Sequence, residues 1–108
     1  MATRLILAMA ACAILVFAQG NTRSVQGKVM DAAGGPVNQA VVQLKDTKSL
    51  AVRSYITQQD GNYHFHGLST DVDYELRADY QGASSGTKTL SSFDSRKQAV
   101  IDLKLSKK

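Results

Sequence analysis

Val25, Gly27 and Val29 alternate with Gln26, Lys28 and Met30, the period of two expected of a half-buried strand. Ala33-Gly34-Gly35-Pro36 breaks the chain, because paired glycines admit positive φ and proline cannot donate to a ladder. The alternation resumes with Ala40, Val42 and Leu44 against Val41, Gln43 and Lys45, and stops near Asp46–Ser49. Ala51 to Thr57 has strand composition (Val52, Tyr55, Ile56, Thr57), but neither face is clearly apolar, so its register stays open. Gln59-Asp60-Gly61-Asn62 is a hairpin signal, since Asp-Gly tolerates left-handed backbone. Beyond it Tyr63 and Phe65 are placed inward, which sends His64 and His66 to the opposite face. Tyr74, Leu76, Ala78 and Tyr80 alternate with Glu75, Arg77 and Asp79, the cleanest amphipathic strand in the chain. After a Gly/Ser-rich stretch come a short strand at Thr87–Leu90, a polar segment at Phe93–Gln98, and Ala99–Leu105 with Ile101, Leu103 and Leu105 on one face. Seven short strands with regular turn signals and no helical stretch predict an all-β protein, a seven-stranded antiparallel β-sandwich.

The N-terminus follows a different pattern. Arg4 precedes an apolar run from Leu5 to Phe17, and small Ala18 is followed by polar Gln19-Gly20-Asn21-Thr22. That is the layout of a signal-peptide helix cleaved after Ala18. The run is short of the ~20 residues that span a bilayer, so no stable membrane span is expected after cleavage. Met9-Ala10-Ala11-Cys12 offers a lipoprotein reading, but the apolar Ala13–Phe17 follows the cysteine where a lipoprotein would turn polar. The expected organisation is residues 1–18 signal peptide, 19–23 linker, 24–105 domain and 106–108 basic tail. Loss of Arg4 takes the formal charge from +4 to about +3. It also removes Cys12, the one cysteine, so an exported domain has no disulfide or thiolate chemistry and depends on its core. A chain of 108 residues has no room for a dinucleotide-binding enzyme, a TIM barrel or a kinase fold.

Five elements in order, Val25-x-Gly27-x-Val29-x-Asp31, Gly35-Pro36-Val37, Ala40-x-Val42-x-Leu44, Thr57-x-x-x-Gly61-x-Tyr63-x-Phe65-x-x-Leu68 and Tyr74-x-Leu76, resemble the carboxypeptidase regulatory-like domain family. The resemblance covers roughly residues 24 to 105. It implies a transthyretin-like (prealbumin-like) sandwich, sometimes grouped with carbohydrate-binding-like folds, and an accessory role beside a peptidase rather than peptidase activity. The related collagen-adhesin B-type domains form a Lys–Asn isopeptide bond, but Val29 and Ala78 occupy the lysine and acid positions, so no such cross-link is expected. Hydroxyisourate hydrolases share the sandwich and end in Tyr-Arg-Gly-Ser, whereas this chain ends Leu105-Ser106-Lys107-Lys108.

Three groups of residues could carry chemistry. His64-Phe65-His66 sets two imidazoles on one strand face about 6.6–6.8 Å apart along the chain, a metal grip if a third ligand approaches and otherwise two solvent-facing histidines. Asp71-x-Asp73-x-Glu75 places three carboxylates at one parity, but lacks the glycine and spacing of a calcium loop. Tyr55 and Phe93 are the two rings left free for a sugar once Tyr63, Phe65 and Tyr74 are assigned to the core. No cofactor is expected, and His-Glu-x-x-His, Gly-x-Ser-x-Gly and P-loop motifs do not occur. The basic residues are dispersed without an aromatic-basic patch, which argues against nucleic acid. The expectation is therefore a secreted or periplasmic, non-catalytic module that binds an envelope protein or polysaccharide. A carbohydrate-binding accessory domain acting with a separate hydrolase is the alternative, and an exposed aromatic platform separates the two.

Overall fold

The computed structural model describes residues 22–106; the expected signal peptide and most of the expected linker lie outside them, as do Lys107 and Lys108. The described chain is all β, arranged as two sheets, with nine strands rather than seven. They are β1 (Thr22–Met30), β2 (Val41–Asp46), β3 (Val52–Ile56), β4 (Asn62–Ser69), β5 (Tyr74–Tyr80), β6 (Ala83–Ser84), β7 (Lys88–Leu90), β8 (Gln98–Val100) and β9 (Leu103–Lys104). In one sheet β1 lies between β4 and the pair β8 and β9; in the other the order is β3-β2-β5-β6, with β7 also on β5.

The two additional strands have local causes. Gln81 and Gly82 both have positive φ (47° and 85°), so they close a two-residue hairpin that pairs Tyr80 with Ala83 and creates β6. The expected single strand Ala99–Leu105 divides in two because its ladder with β1 is interrupted at Ile101 and Asp102, while the register on either side stays the same. Gln98–Val100 pairs with Ser24–Gln26, and Leu103–Lys104 with Val29–Met30. In between, the Ile101 N–H donates to Gln26 O (2.8 Å), and an Asp102 carboxylate oxygen accepts from the Lys28 N–H (3.0 Å). Both β8 and β9 run parallel to β1, which corrects the expectation of a purely antiparallel sandwich.

The inward parities of β1, β2, β4 and β5 are as read from the sequence. Val25, Val29, Tyr63, Phe65, Leu68, Ala99 and Leu103 from one sheet meet Val42, Leu44, Tyr74, Leu76, Ala78 and Leu90 from the other in one buried core. The motif residues meet at one end of it. The Val29 N–H donates to Gly61 O (2.8 Å) and the Val37 N–H to Val29 O (3.0 Å). Buried Thr57 donates its hydroxyl to Val37 O (2.6 Å) and accepts from the Ala40 N–H (2.9 Å). Asp31 accepts from the N–H groups of Ala33 and Gly35. Gly61 has φ of +74°, and a Cβ there would lie 2.8 Å from Val29 O, so close backbone approach as well as conformation calls for glycine.

The opposite end is fastened by Arg23. Placed in the linker by the sequence reading, it belongs to β1 and is only 3% exposed. Its guanidinium donates to four carbonyls: Ser69 O (3.0 Å), Val72 O (2.7 Å), Ser91 O (2.8 Å) and Asp94 O (3.2 Å). A buried charge is tolerable only when its hydrogen bonds are made; here carbonyl dipoles make them, and the guanidinium also lies 6.0 Å from the Tyr74 ring centroid. Arg23→Met should lower stability by about 1.5–3 kcal/mol, read by urea unfolding. A variant as stable as the parent would show that the clamp contributes nothing.

Candidate functional site

Where the two sheets approach along one side, the edge strands β3 and β4 carry most of the chemically distinctive exposed residues. The Tyr55 ring is half-buried, with its centroid 5.0 Å from His64 and 6.2 Å from Phe65. Rather than standing free for a sugar, it wraps the edge of β4 and packs against the core. Phe93, the other ring named from the sequence, is 95% exposed in the turn between β7 and β8. A single ring is not a platform on which successive sugars can stack.

His64 and His66 are both exposed on the outer face, their ring centroids 4.7 Å apart. His66 lies in a bulge: Val25 pairs with Phe65 and Arg23 with Leu68, so Ser24 faces both His66 and Gly67. Gly67 has φ of +68°, which the bulge requires. Arg53 reaches across from β3 and donates to His66 O (2.8 Å). Among the described residues, no three His, Cys, Asp or Glu side chains are placed to hold a metal ion together.

The carboxylates at Asp71, Asp73 and Glu75 have separate surroundings. Asp73 accepts from the Ser92 N–H (2.6 Å) and its carbonyl accepts from the Thr47 hydroxyl (2.8 Å), so it ties three loops together. Asp71 is exposed in the turn, and Glu75 lies in β5 opposite Lys45 and Thr89. Asp94 is chemically the most perturbed acid: hydrogen bonds from the Arg96 side chain and backbone hold its carboxyl down at about 2. The Tyr63 phenol is shifted the other way, raised by burial, and donates to Ile101 O.

The free edge of β3 was not apparent from the sequence. Thr57 and Ala51 exchange backbone bonds with Gln39, Ala40 and Asp46. Strand alternation therefore turns the N–H and C=O groups of Val52, Ser54 and Ile56 away from β2, where no strand among the described residues pairs with them. Val52 is 54% exposed and Ile56 61%, with Leu50 beside them at 64%. Apolar residues on the outside of an edge strand hide its register, because the usual inward-apolar parity is reversed.

The family model for the carboxypeptidase regulatory-like domain matches residues 24–106. The chain belongs to that family. No curated protein matches it by sequence. Among solved structures it is similar to the catechol 1,2-dioxygenase of Acinetobacter sp. ADP1, with 15% identity and a TM-score of 0.60 over 81% of this chain and 53% of that one. It is also similar to the dioxygenase domain of a dioxygenase–carbohydrate-binding fusion from Streptomyces sp. SirexAA-E (15% identity, TM-score 0.57, 80% of each chain). A DUF3823 family protein from Parabacteroides merdae matches with 18% identity and a TM-score of 0.55 over 80% of this chain and 46% of that one. The regulatory-like domain thus spans about half the length of the Acinetobacter enzyme. At these identities the likeness is one of fold.

Proposed function

We propose that this regulatory-like domain is an exported, non-catalytic binding module whose β3 edge accepts an extended segment of an envelope protein. The observation that carries the reading is the regular edge of β3, unpaired among the described residues, with the apolar side chains of Val52 and Ile56 exposed beside it. An edge of this kind supplies backbone hydrogen bonds for affinity and alternate side chains for selectivity. Other edges of the two sheets are blunted: β6 and β9 have two residues, β7 and β8 three, and β4 is interrupted by its bulge. Such shortening and bulging is how β proteins guard against unwanted pairing, and β3 lacks both devices. A polysaccharide ligand draws less support, since Phe93 stands alone and Tyr55 is committed to His64 and Phe65.

Ser54→Pro tests the proposal, because proline removes the central N–H of the free edge without touching the bonds to β2. The protein immobilised against a cell-envelope extract should retain a partner that Ser54→Pro releases, with the fold unchanged by circular dichroism. Binding of that partner should also slow hydrogen exchange at Val52, Ser54 and Ile56. Equal retention by Ser54→Pro and by the double variant Val52→Lys/Ile56→Lys would overturn the β3 assignment, as would retention of polysaccharide alone.

A further inference from the structure

We infer that His64 and His66 form a two-histidine site for a divalent transition-metal ion, with Cu(II) favoured over Zn(II). Two imidazoles sharing one ion at metal–nitrogen distances of ~2.0–2.1 Å have ring centroids roughly 4.5–5.3 Å apart for N–metal–N angles near 90–110°. The observed separation of 4.7 Å lies within that interval, well inside the about 6.6–6.8 Å by which alternate residues of a regular strand are spaced.

Three features of the fold hold the rings there. The bulge at His66 and Gly67 bends and twists the edge of β4 at this pair. The Tyr55 ring packs on His64 at 5.0 Å. Arg53 ties β3 to the backbone carbonyl of His66, leaving the imidazole unused. Both histidines are exposed, so an ion reaches them directly and water completes its coordination. Imidazole suits copper and zinc, and the general order of divalent affinities places Cu(II) above Zn(II) for a nitrogen site. With the Arg53 guanidinium nearby and no carboxylate on the ion, the site is one of moderate affinity that releases its metal readily.

The full chain, freed of metal, is titrated with copper(II) chloride. Tyrosine emission serves as one readout, since the chain has no Trp and Tyr55 lies against His64. Electron paramagnetic resonance gives the number of nitrogen ligands. One ion with two imidazole nitrogens is expected, at least tenfold weaker in His64→Ala and in His66→Ala and lost from this site in the double variant. Urea unfolding of the variants should match the parent, as substitutions at exposed positions usually do. Ser54→Pro should bind copper normally, which keeps this inference separate from the docking edge. Equal copper binding by the double variant, or no imidazole-ligated copper at millimolar metal, would overturn it.

Discussion

Tyr63→Ala is expected to unfold a substantial fraction of the protein. The ring is 1% exposed near the start of β4, packed 6.0 Å from the Phe65 centroid, with its hydroxyl on Ile101 O. Truncating a buried aromatic typically costs about 3–5 kcal/mol, against a total of ~5–15 kcal/mol for a domain. Urea unfolding of Tyr63→Ala and Tyr63→Phe together separates the two contributions. Phenylalanine keeps the packing and loses only the hydrogen bond, so its cost should be nearer 1 kcal/mol. An alanine variant as stable as the parent would mean that the core tolerates a cavity where its largest fully buried side chain lies.

Gly27→Ala should be damaging for the opposite reason. In an ordinary strand alanine is no worse than glycine, and is often better, because glycine loses more entropy on folding. At position 27 the added Cβ would overlap Ile101 O and come within 2.6 Å of the Ile101 carbonyl carbon and 2.9 Å of Tyr63 Cε2. A backbone carbonyl cannot rotate away as a side chain can, so the segment joining β8 to β9 has to move off β1. Overpacking costs about 1–3 kcal/mol in typical cores and more where backbone must shift, and the upper end is expected here. Hydrogen exchange should show lost protection at Ile101 and Leu105, whose N–H groups bond to Gln26 O and Met30 O. A Gly27→Ala variant of equal or greater stability would refute the close-approach account.

These two positions also mark the limit of what alternation reveals. Tyr63 was readable as core because a strand with one face buried shows its period in the sequence, and the same holds for Tyr74, Leu76 and Ala78. Gly27 fitted that period equally well, but the reason for glycine lies in a chain segment some seventy residues away. Arg23 was unreadable on similar grounds: its acceptors are carbonyls 46 to 71 residues distant, and carbonyls leave no trace in residue type. Alternation also says nothing about strand direction, so the parallel pairing of β8 and β9 could not be seen. The histidine pair was legible as two outward residues, while its closeness depends on a bulge set by pairing with β1.

The central place of β1 carries a consequence in time. Its neighbours on one side are β8 and β9, the last strands of the domain, and the Ser106 N–H then reaches across to Ser84 O in the other sheet (2.8 Å). The first of the described strands therefore waits for the segment Gln98–Lys104 before its sheet can close. Contacts this distant in sequence slow folding. The sheet built on β1 stays open while β2 to β7 are made, and locks only when β8 and β9 come to lie beside it.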